Sequence, residues 1–182
     1  MTTTVGIFKN SSTATTPTQG TAHAACSDIY SDLQGSTAQA GVLIYTIRND
    51  IEAMSYRTAQ KIKFVPVAGE IVLRPNDRAL IPTGLIFDIP QGYCVKMYPR
   101  SGLSAKRGVT LVNSVGVIDS DYVNESYIPI INLSDKIQII QHGDRLAQIE
   151  LCKIEPVEYT ELSEPPERKS DRDGGFGSTG TK

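Results

Sequence analysis

The sequence predicts an all-β protein, a distorted jelly-roll barrel followed by a Gly-rich C-terminal arm. From Glu70 to Lys153, short runs of β-branched and aromatic residues recur, and turn signals such as Pro75–Asp77 and Pro90–Gly92 separate them. This pattern is typical of β-barrels and jelly rolls. No long segment with helical periodicity lies between the runs, so helical crossovers between parallel strands are not expected.

The composition restricts the class of protein and its partners. A chain of 182 residues with 40% hydrophobic residues and no long apolar run indicates one globular domain without a membrane span. The N-terminus lacks a signal-peptide pattern, and Cys26, Cys94 and Cys152 are odd in number and widely spaced. We therefore expect free thiols in the cytoplasm, or in the host cytoplasm if the protein is viral. The net charge of −2 does not attract nucleic acid, so an anionic ligand requires a local cluster of cations.

The N-terminal third has mixed signals. Asp28 precedes a possible strand, where its simplest interpretation is a turn aspartate. In chain order we expect a strand at Val5–Lys9, a loop at Asn10–Thr21, a strand at Val42–Ile47, a short helix at Ile51–Lys61 and a strand at Ile62–Val67. Later strands are expected at Ile71–Leu73, Arg78–Ile81, Leu85–Phe87, Cys94–Tyr98, Val109–Val112, Tyr127–Leu133, Lys136–Ile140 and Ala147–Lys153.

The composition changes after Lys153. Residues 155–173 are acidic, contain prolines and have no apolar periodicity, which indicates an extended arm. We expect a barrel domain at residues 1–153 and an arm at 154–182. The arm ends in GGFGSTGTK, where Phe176 stands among glycines before Ser178 and Thr179. Such a tail is either disordered or a lid that closes over phosphates.

Two places in the sequence suggest chemistry. Arg100-Ser101-Gly102 combines a guanidinium, a hydroxyl and an accessible backbone amide, which are the groups that bind phosphate oxygens. Asp119 follows a run of strand-forming residues, so its carboxylate can point into a cleft at the end of a turn. There it could serve as a general base or a metal ligand, although single aspartates more often cap turns.

These residues belong to a set of ordered motifs. They are Pro99–Leu103 (PRSGL), Asn113–Tyr122 (NSVGVIDSDY), Gly143–Gln148 (GDRLAQ) and Gly174–Gly180 (GGFGSTG). On these motifs the sequence resembles the trimeric, all-β dUTP pyrophosphatases (dUTPases) over almost its whole length. The resemblance implies the dUTPase-like β-clip form of the jelly roll.

Two motifs depart from the family pattern. Ala25–Ile29 is the best counterpart of the first motif, with Cys26 where glycine is usual and Asp28 at the acidic position. Asp32 is an alternative for that acidic position. In the fifth motif, Arg172 lies one residue closer to Phe176 than in the family.

The resemblance implies hydrolysis of dUTP to dUMP and pyrophosphate. Asp119 would act as the general base that orients a water for attack on the α-phosphorus. Mg²⁺ would bind the triphosphate, and Asp28 would contact the metal through water. The implied phosphate-binding residues are Arg100, Ser101, Gly102, Gln148 and Arg172.

The resemblance also implies how base and sugar are recognised. Asn113–Tyr122 would be a β-hairpin that reads the uracil edge through Asn113, Gly116, Val117 and Ile118. Tyr122 would pack against the deoxyribose and exclude a 2′-hydroxyl. From the arm, Phe176 and Gly177 would cover the base, and Ser178 and Thr179 would bind the γ-phosphate.

Two properties concern the assembly. The resemblance implies a homotrimer in which each site takes motifs from neighbouring subunits. The segment Gly35–Gly69 is about thirty residues longer than the family's usual connection, which suggests an insertion over roughly residues 34–69. Long structured insertions are often functional, so this one is expected to offer a contact to another protein.

Two other functions are open from the sequence. A dCTP deaminase of the same fold needs a catalytic glutamate beyond Asp119, where this sequence has Tyr127–Ile131, and that family lacks the PRSGL and Phe-Gly-Ser-Thr motifs. A regulatory binding protein built on a dUTPase scaffold is suggested by the insertion.

Overall fold

The computed structural model describes residues 2–47 and 59–171, which form fourteen strands and two short helices. The strands are β1 (Gly6–Lys9), β2 (Thr18–Gln19), β3 (Ser27–Tyr30), β4 (Val42–Ile47), β5 (Ala59–Phe64), β6 (Glu70–Leu73), β7 (Arg78–Pro82), β8 (Leu85–Asp88), β9 (Tyr93–Pro99), β10 (Val109–Leu111), β11 (Gly116–Ile118), β12 (Tyr127–Asn132), β13 (Gln138–Gln141) and β14 (Arg145–Lys153). The helices are α1 (Ser36–Gln39) and α2 (Ser101–Arg107). The predicted all-β class is confirmed.

Two five-stranded sheets form the body of the fold. One has the strand order β10-β12-β7-β4-β5, and the other has the order β11-β9-β14-β3-β2. Two further ribbons, β1-β8 and β13-β6, pair separately. The pairings are antiparallel, and apart from β2–β3 and β4–β5 they join strands that are not consecutive in sequence, as in a distorted jelly roll.

The core lies between the inner faces of the two sheets. On β12, Ile128 and Ile130 are fully buried, and alternate residues face outward. Met97 on β9 is 2% exposed and belongs to the same core cluster. On β14 a register shift after Arg145 places Leu146 and the next residue, Ala147, both inside. Such an irregularity bends a strand locally, here at the start of β14.

The segment Gly35–Gly69 is integrated into a sheet. Its strand β4 pairs with β7 on one side and with β5 on the other. Ala38, Val42 and Ile44 are buried in the main core cluster. The inserted residues therefore extend the sheet and contribute to the core.

The prediction of a helix at Ile51–Lys61 is wrong for its last residues, which are the part that the structure describes. Residues 48–58 lie outside the described ranges, but residues 59–61 belong to β5, which pairs with β4 from Ala59 to Phe64. The strand expected at Ile62–Val67 therefore starts earlier and ends at Phe64. Cross-strand hydrogen bonding outweighed a local helical pattern here, since strand propensity depends strongly on context.

Strands β10 and β11 do not pair with each other, so they do not form the hairpin predicted at Asn113–Tyr122. β10 pairs with β12, whereas β11 pairs with β9 in the other sheet. The intervening turn is closed by a hydrogen bond from the Val115 amide to the Asn113 carbonyl (2.6 Å). This turn therefore connects the two sheets and carries the chain from one face of the core to the other.

After β14 the described part of the arm, residues 154–171, has no strand or helix, and its residues are exposed. Its first residue is anchored by a bond from the Ile154 amide to the Gly92 carbonyl (2.8 Å). Among the described residues, neither helix reaches the length and apolarity that a membrane span requires.

Candidate active site

Strand β14 places three residues that are distant in sequence side by side on neighbouring strands. It lies between β3 and β9, and its Gln148 is opposite both Asp28 on β3 and Tyr98 on β9. Directly opposed residues of antiparallel strands project from the same face. The acidic residue of the first motif and the glutamine of the fourth motif therefore meet on one side of this sheet.

The PRSGL motif forms the junction between β9 and α2. Arg100 has an extended backbone and is the N-cap of the helix, and Ser101 and Gly102 are exposed in its first turn. Gly108 ends the helix at φ 66°, a left-handed conformation that favours glycine. Helix α2 is not among the elements expected from the sequence. The signal for it was Lys106-Arg107-Gly108, since cations in the last turn followed by glycine are typical of helix ends.

Asp28 is paired with two arginines. Its Oδ1 lies 2.9 Å from Arg100 Nε, and its Oδ2 lies 3.1 Å from Arg145 Nη1. Arg100 also donates from Nη1 to the Arg145 carbonyl (2.9 Å). The carboxylate and this carbonyl therefore fix the guanidinium of Arg100, whose side chain is 29% exposed.

These residues line a cleft of about 570 Å³, which we call the phosphate cleft; Arg100–Gly102, Gln148, Asp28, Lys106, Arg107 and Arg145 contribute to it. Four cationic side chains face a single carboxylate, so the cleft favours an anionic ligand. Arg145, which belongs to the Gly143–Gln148 motif, lines the cleft and pairs with Asp28. The structure brings Lys106 and Arg107 into the cleft as well, because α2 places them beside its first turn.

A second cleft of about 230 Å³ is lined by residues of the third motif, including Asp119, and we call it the aspartate cleft. Val117, Ile118, Asp119 and Tyr122 line it, together with Leu80, Ser126, Tyr127 and Pro129. Asp119 is exposed and follows the last residue of β11. The Tyr122 amide donates to the Asp119 carbonyl (3.1 Å), which forms a tight turn that brings both side chains to one opening.

The other predicted residues divide into two groups. Asn113 and Gly116 line neither cleft but contact each other, since a Cβ at Gly116 would lie 3.3 Å from Asn113 Nδ2. Arg172, Phe176, Gly177, Ser178 and Thr179 lie outside the described residues. Asp32, the alternative to Asp28, is 2% exposed and accepts hydrogen bonds from Thr13 and from the Gly35 amide. Asp28 lines the phosphate cleft and Asp32 does not.

A carboxylate with three side-chain donors lies next to the phosphate cleft. Glu150 accepts from Cys152 Sγ (2.9 Å), Tyr98 Oη (3.1 Å) and Cys26 Sγ (3.8 Å). These hydrogen bonds, led by Cys152 and then Tyr98, hold the pKa of Glu150 below its ordinary value. Burial first, and the bond to Glu150 second, raises the pKa of Tyr98 to about 12. Burial and Glu150 likewise raise the pKa of both thiols, which therefore stay protonated.

The side chains of the phosphate cleft could hold a metal ion only together with a bound ligand that supplies further oxygens. No cluster of three acidic, histidine or cysteine side chains that could hold a metal occurs within residues 2–47 and 59–171. Asp28 is a single carboxylate at the edge of a cationic cleft. Mg²⁺ usually keeps several waters and uses one or two carboxylates plus substrate phosphates, which this arrangement matches.

The fold and the two clefts define an all-β protein with a cationic cleft suited to a phosphate-bearing ligand and a second cleft lined by an exposed carboxylate. The chain belongs to the dUTPase family, whose model matches residues 64–180. The match covers the second to fifth motifs, whereas α1 and β4 precede it.

Relatives with the same description extend this assignment. The deoxyuridine 5′-triphosphate nucleotidohydrolase of Finegoldia magna is 50% identical over 111 residues, 61% of this chain and 77% of that protein. The one from Hydrogenobaculum sp. is 42% identical over 146 residues, 78% of this chain and 99% of that protein.

Solved structures confirm the fold. A mutant dUTPase of Staphylococcus bacteriophage 80alpha, solved with dUpNHpp, has a TM-score of 0.70 at 22% identity and covers 98% of this chain and 99% of its own. A mutant dUTPase of phage phi11 of S. aureus, described with a structural Mg(II) ion, has a TM-score of 0.60 at 23% identity and covers 89% of this chain and 98% of its own.

Proposed function

We propose that the protein hydrolyses dUTP to dUMP and pyrophosphate. One observation supports this in the structure: residues of the first, second and fourth motifs converge on one cationic cleft. Family membership points to the same reaction. The three free cysteines, Cys26, Cys94 and Cys152, suit the reducing cytoplasm.

The phosphate cleft binds the triphosphate in this proposal. The guanidinium of Arg100 presents a fork of donors suited to phosphate oxygens. Ser101 and Gly102 add a hydroxyl and backbone amides from the first turn of α2, where such amides lack helical partners. Gln148 donates to the Pro99 carbonyl (3.2 Å), which places its amide beside the same motif.

Mg²⁺ bound together with the triphosphate would neutralise charge on its oxygens. Asp28 is the residue that would hold it, through bound water. Because both Asp28 oxygens already accept from arginines, the carboxylate is oriented before any ligand enters. Arg100 and Arg145 thus position Asp28 as well as attracting phosphate.

The aspartate cleft supplies the general base and recognises the nucleoside. Asp119 accepts a proton from the attacking water, a contribution on the order of 10²–10⁴-fold. Tyr122 packs against the deoxyribose, and the Asn113 turn and β11 bind the uracil edge through Asn113, Gly116, Val117 and Ile118. A cytosine would leave a buried hydrogen-bonding group unpaired, which is strongly discriminating.

Each complete site takes its two clefts from different subunits of a homotrimer. No residue lines both clefts among those described. The turn that carries Asn113 exposes Val112, Val115 and Val117 at 43%, 43% and 57%, an apolar surface that a neighbouring copy would cover. In this proposal the chain divides into a barrel domain of residues 1–153 and an arm of residues 154–182. The arm would bring Arg172 and Phe176–Thr179, which lie outside the described residues, to a site on another subunit.

The test is a pyrophosphate-release assay with dUTP, dCTP, dTTP and UTP, with and without Mg²⁺. We expect turnover of dUTP in the presence of Mg²⁺ and little turnover of the other three. Ammonia release from dCTP would instead identify a deaminase. Equal turnover of dUTP and dTTP would contradict the proposed base recognition.

A further inference from the structure

Glu125 is a buried carboxylate without a cationic partner among the described residues. It is 8% exposed and appears in no ion pair there. Its charge is compensated by three neutral donors: the Gly84 amide to Oε1 (2.9 Å), and Thr37 Oγ1 (2.6 Å) and Asn10 Nδ2 (3.2 Å) to Oε2. A buried carboxylate is strongly destabilised when such a donor is lost.

The three donors come from separate parts of the chain. Asn10 follows β1, Gly84 lies in the turn between β7 and β8, and Thr37 lies on α1. Residues 35–63 precede the region that the dUTPase family model matches. Thr37 therefore connects the inserted segment to Glu125.

Glu125 ends the loop that carries Asp119 and Tyr122. Tyr122 Oη donates to the Glu125 backbone carbonyl (3.0 Å). The next residue, Ser126, is held at its carbonyl by Thr83 Oγ1 (2.7 Å) and at its amide by the Leu85 carbonyl (2.9 Å). The orientation of the tyrosine ring thus depends on where Glu125 is anchored.

We propose that Thr37 is a positioning residue for substrate selectivity, which it exerts through Glu125 and Tyr122. This inference rests on the proposed function of Tyr122 as the residue that packs on the deoxyribose. With the Thr37 hydroxyl in place, the Glu125 carbonyl holds the ring against the sugar. Without it, the loop is looser and the 2′-hydroxyl of a ribonucleotide is tolerated better.

The test compares Thr37→Val, which keeps the shape of the side chain, with Thr37→Ser, which keeps the hydroxyl. Thr37→Val is expected to lower kcat for dUTP about tenfold and the preference for dUTP over UTP about fivefold, as loss of a hydrogen bond to a charged group predicts. Thr37→Ser is expected to restore both to within about twofold. Asn10→Ala, which removes the other donor to Oε2, should shift both in the same direction by less, since its bond is longer.

Thr37→Ser is also the matched control, because it changes the same side chain but keeps the hydroxyl that donates to Glu125 Oε2. The same selectivity loss in Thr37→Ser as in Thr37→Val, or wild-type selectivity in a folded Thr37→Val protein, would overturn the proposal.

Hydrogen–deuterium exchange of the peptide spanning residues 119–126 tests the coupling without activity. Faster exchange there in Thr37→Val, but not in Thr37→Ser, is expected, and unchanged exchange in Thr37→Val would overturn the coupling. A wild-type protein that releases no pyrophosphate from dUTP would refute the proposed function instead, and the exchange result would still report on the coupling.

Discussion

Asp28 is the residue on which the phosphate cleft depends. Its carboxylate is 12% exposed and binds two arginines that would otherwise repel each other. Asp28 is not the turn aspartate that its local sequence suggested, because it lies inside strand β3, which continues to Tyr30. The sequence could not show that Arg145 is its second partner, since that contact arises from the pairing of β3 with β14.

Asp119 carries the proposed base catalysis. Asp119→Asn keeps the size and polarity of the side chain but cannot accept a proton at neutral pH. Turnover of dUTP is expected to fall by about 10²–10⁴-fold, while dUpNHpp binding measured by calorimetry stays near that of the wild type. Asp121→Asn, two residues away and lining neither cleft, serves as the control. Full turnover in Asp119→Asn would contradict the mechanism.

Glu150 predicts a pH dependence of stability. Because its pKa in the folded state lies below the ordinary value, the ionised carboxylate stabilises the fold above the unfolded pKa, and this contribution is lost as the pH falls through the folded pKa. Glu150→Gln is therefore expected to lower Tm at about pH 7 and to differ less from the wild type at about pH 3. Calorimetry across this range checks it, with the arm variant Glu158→Gln as control. An equal Tm difference at both pH values would show that the charge of Glu150 is not responsible.

At the scale of elements, the β4–β5 hairpin decides whether the inserted segment is an appendage or part of the fold. Ile44 on β4 is 6% exposed, whereas its ladder partner Ile62 on β5 is 40% exposed. One strand of the segment is thus buried against β7, and the other forms the edge of the sheet. Among the described residues of the segment, the outer strand offers the free sheet edge for an additional contact with another protein.

These burials give a stability prediction. Ile44→Ala is expected to cost about 2–5 kcal/mol because it leaves a cavity in the core. Ile62→Ala, with the same chemical change at the sheet edge, should cost clearly less. Denaturant unfolding measures both. Equal costs would mean that the segment does not share the main core.

At the scale of the whole molecule, the two clefts of a protomer serve different sites in the proposed trimer. This arrangement can be tested by mixing two inactive proteins, Arg100→Ala and Asp119→Asn, after unfolding and refolding together. If each site takes one cleft from each of two subunits, about a quarter of the sites in randomly mixed trimers are intact. We expect activity near that fraction, measured as pyrophosphate release. A mixture as inactive as its parents would place both clefts of a site in one protomer.

The sequence by itself determined the all-β class and the motifs, because strand propensity, turn residues and the chemistry of phosphate binding are local properties. Arg100 and Asp119 could be singled out for that reason, whereas Gln148 was implied by the resemblance of its motif. Only the tertiary structure decided that β4 enters the core and that Arg145 pairs with Asp28. Strand register and burial set these features, and both depend on residues far apart in the chain. The same holds for Thr37 and Glu125, whose hydrogen bond spans 88 positions of the sequence.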